Sequence, residues 1–369
     1  MTQFYGKTKI CYGEDALDNI ETIPTKQAFI VTDPFMVKVG FADRVKSHLD
    51  RIGVPHITFA DVEPDPSLET VTKGAKIFLE NKADLIIALG GGSPIDAAKA
   101  IAFFAHKATE GKNKPTLVAI PTTSGTGAEV TSISVVTDKV NEVKIPLNDE
   151  LLIPDMAILD ARFTRSLPAH VTAATGMDVL THAIEAYTSR QANAFTSIYA
   201  KYAIRYVFKY LKRAYLNGDD MEARENMLLG SCMAGMAFNN SGLGITHSIA
   251  HSLGGIFHVP HGLANAVVLP HAIRFNSFDV GIRYHEIAQM LKLPSATVEE
   301  GTKSLIKAVC ELNESMGIPN NIGALKIDEK AFHDSMGTIA RNVMDDICTG
   351  GNPRQPSRED VKDLLKLAW

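Results

Sequence analysis

Apolar positions along this chain follow two different periods, and the change falls near its middle. Up to about residue 165, short β-branched runs alternate with amphipathic stretches. QAFIVTD (27–33), HITFADV (56–62), ADLIIALGGG (83–92) and TLVAIPTT (116–123) read as strands bounded by Gly, Pro or acidic residues. Between them, FADRVKSHLDRIG (41–53), LETVTKGAKIFLENK (68–82) and PIDAAKAIAFFA (94–105) carry apolar residues at the three- and four-residue spacing of helices. Strands that alternate with helices pair in parallel, so this half is expected to be an α/β layer with a Rossmann-like sheet. Ligand sites then belong at the carboxyl ends of the strands.

Beyond about residue 168 the strand signals stop. HVTAATGMDVLTHAIEAYTS, NAFTSIYAKYAIRYVFKYLKRAYLNG, ARENMLLGSCMAGMAFNN, VEEGTKSLIKAVCELNESMG and SREDVKDLLKLAW all show helical spacing. The expected organisation is an α/β nucleotide domain over 1–167 and an all-α domain over 168–369. A length of 369 residues suits two domains of about 100–200 residues each. No Pro/Gly/Ser-rich linker or internal repeat separates the halves, so a cleft between them is the expected site.

Composition narrows the function. A net charge of -5 without a basic stripe counts against nucleic acid as a partner. No apolar run reaches the ~18 residues of a membrane helix, and MTQFYGKTKICYGEDALDNI does not read as a secretory signal. Cys11, Cys232, Cys310 and Cys348 are scattered without a C-x-x-C pair, which fits reduced thiols in the cytoplasm. A metal site would then be built from histidines and carboxylates.

Three stretches of the first half offer nucleotide chemistry. In ADLIIALGGGSPIDAAK a buried strand runs into Gly90, Gly91 and Gly92, with Ser93 expected as the helix N-cap and Pro94 as the first helical residue. Bare N–H groups at such a helix start form an anion site. Ile95 stands where a G-x-G-x-x-G fingerprint needs its third glycine, so a plain strand-to-helix turn is the competing reading. PTTSGTGAEVT (121–131) supplies hydroxyls from Thr122, Thr123, Ser124, Thr126 and Thr131 beside open backbone at Gly125 and Gly127. Such a loop suits a pyrophosphate or ribose, or is a polar turn. Asp33, closing the first strand, either accepts from a ribose 2′-OH and repels a 2′-phosphate or caps a helix starting at Pro34.

The second half offers metal chemistry. Asp178 and His182 are i, i+4 neighbours and share a helix face. THSIAHSLGGIFHVPHG (246–262) holds His247, His251, His258 and His261. Asp178 and His182 from one helix, with His247 and His261 from another helix and its exit loop, make an Asp-His-His-His set. Nitrogen and oxygen donors suit Fe(II), Zn(II), Mn(II) or Co(II). A surface Asp–His pair and packed core histidines are the bland alternatives.

With these residues in view, the chain resembles the iron-dependent (group III) alcohol dehydrogenases. GGGSPIDAAK, PTTSGTGAEVT, PDMAILD, TGMDVLTHAIEAY, GLGITHSIAHSLGGIFHVPHGLANAVVLPH and GGNPRQPSREDVKDLL look like that family's motifs, in its order and across essentially the whole chain. Within the family it is most similar to the propanol dehydrogenases of propanediol-utilisation microcompartments. The alcohol-dehydrogenase half of the bifunctional aldehyde/alcohol enzymes is a near relative. The resemblance implies metal ligands at Asp178, His182, His247 and His261, a second active-site histidine at His251, and no ligand role for His258. It implies cofactor contacts at Gly91, Gly92, Ser93, Asp96, Thr122, Thr123, Thr126, Thr131 and Lys144, with Asp33 as the acid of NAD preference. Where some members carry a polar cofactor contact, this chain has Ile133.

The expected reaction is reversible hydride transfer between NAD(H) and a small primary alcohol or its aldehyde, with Fe(II), or Zn(II) or another divalent ion, at the substrate oxygen and His251 carrying the proton. Phe238, Leu243, Phe257 and Val259 are candidate pocket residues. The lack of a carboxylate clamp near the motifs points to an uncharged substrate. A homo-oligomer in the cytoplasm, or inside a microcompartment with shell or enzyme partners, is expected. Competing readings are a diol or hydroxy-acid dehydrogenase, a dehydroquinate-synthase-like lyase, a metal-dependent hydrolase and a non-catalytic metal-binding or shell-interaction protein. The scarcity of Lys and Arg near the motifs counts against the lyase, and the glycine loops against the hydrolase.

Overall fold

Six strands pair in parallel in the order β1-β8-β5-β4-β2-β3: β1 (Lys9–Tyr12), β2 (Ala28–Val31), β3 (His56–Phe59), β4 (Leu85–Gly90), β5 (Thr116–Pro121) and β8 (Met156–Leu159). The computed structural model describes residues 3–112, 114–141 and 143–369. All residues of β2 and β4 are buried, as expected of strands covered on both faces. Alternation sends Ile86 and Ala88 to one core and Leu85, Ile87 and Leu89 to the other. The first core is closed by helices α3 (Leu68–Glu80) and α4 (Gly92–Ala108) through Val71, Phe78 and Ile101. The second is closed by helix α2 (Phe41–Arg51) and the 3-10 turn Ala16–Thr22 through Val45, Leu49, Leu17 and Ile20.

Two features depart from expectation. Helix α4 starts two residues earlier than its composition implies: Gly91 is the N-cap, Gly92 the first helical residue, and Ser93 and Pro94 follow inside the first turn. The cause is Gly90, whose φ of +153° reverses the chain at once; a Cβ there would lie 2.4 Å from Pro94 Cγ. Ser93 is thereby released from capping, and its hydroxyl accepts from the Asp65 N–H at 3.3 Å. Pro94 still sits where no helical N–H is needed. The second feature is an antiparallel hairpin, β6 (Ile133–Asp138) with β7 (Val143–Asn148). Its second strand, VKIPLN, is mostly exposed; Val143, Ile145 and Leu147 do alternate with polar positions, but Pro146 inside so short a run argues against a strand.

The unit just described spans Tyr5–Ser166, and also carries the short helix α1 (Pro34–Lys38). The second unit comprises Leu167–Trp369 together with Gln3 and Phe4, and the Phe4 ring stacks on Phe195 and Tyr199. It is helical throughout: α5 (Ala169–Thr188), α6 (Ala194–Leu216), α7 (Met221–Ser241), α8 (Ile245–Phe257), α9 (His261–Met290), α10 (Val298–Glu314), α11 (Glu329–Asp345) and α12 (Arg358–Ala368). Helix α5 is buried almost continuously from Gly176 to Thr188. Gly176 lets it cross α6 closely, since a Cβ would lie 2.1 Å from Leu211 Cδ1. Among the described residues, no helix is long and apolar enough to cross a membrane.

Candidate active site

In the α/β unit, Gly90 pairs in register with Pro121, so the strands β4 and β5 end side by side. The two candidate loops therefore meet. A Cβ on Gly91 would lie 3.4 Å from Thr123 Cγ2, and one on Gly92 3.0 Å from Thr126 Cγ2. Asp33, at the end of the neighbouring strand β2, caps helix α1: its Oδ1 accepts from the N–H groups of Phe35 (2.8 Å) and Met36 (3.0 Å). The local capping reading thus describes one carboxylate oxygen and leaves Oδ2 outside the cap. The order of strand connections reverses between β2 and β4, the point where open α/β sheets bind ligands.

The remaining nucleotide candidates do different jobs in the fold. Thr122 Oγ1 is buried without a hydrogen-bond partner among the described residues. Thr131 is buried; its carbonyl and hydroxyl accept from Lys99 Nζ at 2.9 and 3.0 Å, and the Ile133 carbonyl accepts from the same ammonium at 2.9 Å. Asp96 Oδ2 accepts from the Val135 N–H at 3.1 Å, facing the hairpin. Burial pushes the Asp96 carboxyl up to about 6 and the Glu129 carboxyl up to about 7, and it pushes Lys99 down to about 8. Lys144 stands on the exposed strand β7 and pairs with Asp65 at 2.7 Å. Lys99 is missed by sequence reasoning, though it stands in the quoted GGGSPIDAAK motif.

In the helical unit three of the four candidate ligands converge. Asp178 Oδ1 lies 3.4 Å from His261 Nε2 and 3.7 Å from His247 Nε2, and donor atoms of all three residues fall within 4.8 Å of one another. His182 Nε2 is 4.0 Å from the same carboxylate oxygen, and its ring stacks between His247 and Phe238, at centroid distances of 4.6 and 4.5 Å. Asp178, His182 and His247 are buried; His261 keeps an open edge. His261 is not in an exit loop: it is the first residue of α9, after Pro260. His258 ends α8 in the left-handed conformation (φ 56°), leaving residues 258–260 as the connector. Gly262 then presses α9 onto α5, where a Cβ would lie 2.3 Å from the Ala174 carbonyl oxygen.

These residues fit a divalent ion. A tetrahedral ion with bonds of roughly 2.0–2.1 Å needs donors about 3.3–3.4 Å apart. Among the described residues His247 Nε2 is buried without a hydrogen-bond partner, an atom that burial penalises unless something binds it. Its orientation is set from behind: Nδ1–H donates to Glu185 Oε2 at 2.6 Å, which turns Nε2 toward Asp178 and would keep that nitrogen for a bound ion. Glu185 also accepts from the N–H groups of Gly244 (2.9 Å) and Thr246 (2.7 Å), thereby capping α8 from another helix. Burial opposes charge on Asp178, yet the neighbouring His182, His261 and His247 hold its carboxyl well below the usual range. Burial likewise opposes charge on His247, but Glu185 and Asp178 raise it to about 9.

Sequence reasoning missed three partners of these groups. Glu185 stands seven residues after Asp178 on the same face of α5, a spacing that could have found it. Asn265, one turn beyond His261, is fully buried and places its Nδ2 2.7 Å from Asp178 Oδ1 and 3.0 Å from His261 Nε2. Asp346 Oδ2 meets His251 Nδ1 at 2.8 Å across a separation of 95 residues, with no local signal. Of the candidate pocket residues, Phe238 stacks on His182. Leu243, Phe257 and Val259 pack with the helical core.

A parallel sheet with a glycine turn at its carboxyl edge, and a helical unit with a buried Asp–His cluster, are the parts of a metal- and nucleotide-using dehydrogenase. Residues 7–161 match the iron-containing alcohol dehydrogenase family, and residues 172–369 match the C-terminal part of the Fe-containing alcohol dehydrogenase family. The chain is 42% identical to an NADPH-dependent butanol dehydrogenase of Clostridium saccharobutylicum, over 100% of this chain and 98% of that one. It is 39% identical to the 1-propanol dehydrogenase PduQ of Citrobacter freundii, over 99% of each. A 1,3-propanediol oxidoreductase structure superposes with a TM-score of 0.93 at 32% identity, covering 100% of both chains. The chain belongs to the iron-containing alcohol dehydrogenase family.

Proposed function

We propose that the chain interconverts a small primary alcohol, of propanol size, and its aldehyde, using NAD(H) and a divalent metal, Fe(II) by family and Zn(II) or another such ion by donor chemistry. Oxidation takes one alcohol and NAD+ to one aldehyde, NADH and a proton. When bound, the ion supplies a Lewis acid for the substrate oxygen and the nicotinamide takes or gives the hydride. The observation that carries this reading is the buried Nε2 of His247, without a hydrogen-bond partner among the described residues, aimed at Asp178 beside His261.

Asp178, His182, His247 and His261 would hold the ion. Gly91, Gly92 and Ser93, with the first N–H groups of α4, would hold the cofactor diphosphate. Thr122, Thr123, Thr126 and Thr131 of the adjoining loop, Asp96 on α4 and Lys144 on the hairpin would contact the cofactor. Asp33 Oδ2 would accept from the ribose and disfavour a 2′-phosphate. His251, whose side chain is 44% exposed, takes the proton released in alcohol oxidation and returns it in aldehyde reduction.

The test is NADH oxidation with propanal by apo-protein reloaded with Fe(II) without air or with Zn(II), beside Asp178→Ala and His261→Ala. Metal-dependent turnover lost in both variants is expected; no turnover with any ion, despite NADH binding, would break the assignment. A diol is the second substrate reading, favoured by the likeness to the 1,3-propanediol oxidoreductase. The resemblance to the propanol dehydrogenases of propanediol-utilisation microcompartments extends the proposal to a homo-oligomer, in the cytoplasm or with microcompartment shell or enzyme partners. Co-sedimentation with purified shells, against free protein in the cytoplasm, tests that part.

A further inference from the structure

We propose that Asp346 is a positioning residue for His251, holding the imidazole as its Nδ1–H tautomer so that Nε2 is the nitrogen that exchanges the reaction's proton. This rests on His251 as the proton-handling group.

Asp346 lies between α11 and the 3-10 turn Ile347–Gly351, and its two oxygens divide their work. Oδ2 faces His251 Nδ1 at 2.8 Å. Oδ1 accepts from the Cys348 N–H at 2.8 Å and from the Ser248 hydroxyl at 3.2 Å, and Ser248 is itself 2.8 Å from Thr349 Oγ1. The carboxylate is thus anchored on the turn and on α8, the helix that carries His251. Burial opposes its ionisation, but His251 and the Cys348 N–H bring the carboxyl down to about 2. It therefore stands as an acceptor, and an acceptor at Nδ1 requires the proton there. Among the described residues Nε2 of His251 has no hydrogen-bond partner. The ring otherwise rests by stacking on His261, at 5.3 Å and 17°. Stacking alone does not tell one ring nitrogen from the other, because a half-turn about the Cβ–Cγ bond keeps the same plane. Asp346 makes that distinction.

The rival role for Asp346 is a plain cap of the 3-10 turn, and Asp346→Asn separates the two. The Cys348 N–H can only donate, so the new carbonyl oxygen stays with it and the NH2 turns to His251. A donor at Nδ1 drives the proton to Nε2. The cap survives and the tautomer reverses.

The measurement is a long-range 1H–15N correlation on Zn(II)-loaded enzyme labelled with 15N-histidine, with His251 assigned by its loss in His251→Ala. Wild type is expected to carry the proton on Nδ1 and Asp346→Asn on Nε2. In that variant kcat should fall about 10²-fold or more with KM within about threefold, as for a misplaced general acid/base. A wild-type His251 protonated on Nε2 overturns the proposal without any variant, as does an Asp346→Asn enzyme that keeps the Nδ1 proton or an unchanged kcat. Undiminished kcat in His251→Ala would instead strike the proton-handling reading itself, independently of either tautomer.

Discussion

The two units build their candidate sites from different materials. In the α/β unit the surfaces offered to a ligand are mainly backbone: a glycine turn, the first N–H groups of α4, and a threonine loop held from below by Lys99. In the helical unit they are side chains on three helices, α5, α8 and α9, each held by a buried polar partner. A backbone site is sensitive to added volume, whereas a side-chain site is sensitive to lost functional groups. Substitutions should therefore separate cofactor binding from metal binding.

The largest effect is expected at the ligands. His247→Ala removes a donor whose other nitrogen is fixed by Glu185, so metal content should collapse in elemental analysis while NADH binding persists. That loss should exceed the roughly 10–100-fold that an outer partner costs. Glu185→Ala supplies the measure of such a partner: weaker metal binding by roughly 10–100-fold, with Tm lowered because the Gly244 and Thr246 N–H groups lose their acceptor at about 1–3 kcal/mol. Equal metal affinity in Glu185→Ala would show that α8 alone orients His247.

Gly90→Ala probes the other material. Its φ of +153° and the 2.4 Å approach to Pro94 make a side chain strained, so NADH affinity should drop by roughly tenfold, about 1.4 kcal/mol, with metal content unchanged. The pH dependence should also come from this unit. Glu129 and Asp96 have folded pKa values raised to about 7 and about 6, so the native state binds more protons than the unfolded chain. Their contribution is full below about pH 4 and is lost as pH rises through 6 to 7, by at most about 3 kcal/mol per group. Glu129→Gln should flatten the fall in Tm across that window; an unaltered slope would remove Glu129 from the account. The smallest change is expected for Asp33→Asn. Asparagine caps a helix as well as aspartate, so Tm should stay within about 0.5 kcal/mol of wild type. The ratio of kcat/KM for NADPH over NADH should rise.

The same contrast explains what was legible beforehand. Four of the six parallel strands, β2 to β5, show as apolar runs, and the pair Asp178 and His182 shows as a helical spacing, because both signals are local; the short strands β1 and β8 do not stand out. The start of α4 was misread because Gly90, not the favourable Ser93 and Pro94 pair, decides where the chain turns. The hairpin is hard to see because Pro146 interrupts the short apolar alternation of Val143, Ile145 and Leu147. His261 read as a loop residue because Pro260 before it and Gly262 after it look like breakers, whereas they serve as a helix start and a close crossing. Asn265 and Asp346 act through contacts that exist only after folding, and Asp346 reaches His251 from 95 residues away. Glu185 was in plain view at the right spacing, and only its three accepted hydrogen bonds reveal its use.

The connector over residues 258–260 joins His247's helix to His261 with almost no slack, and Gly262 clamps the second helix onto the first ligand's helix. The opening between donors is therefore a gauge cut by the fold before any ion arrives. Ions that differ little in radius meet the same gauge, and ions of higher intrinsic affinity for nitrogen donors are not turned away by it. Which ion fills the proposed cage then follows from what the cell supplies at assembly, so the same chain made under iron-rich and zinc-rich conditions would carry different metals in one unchanged frame.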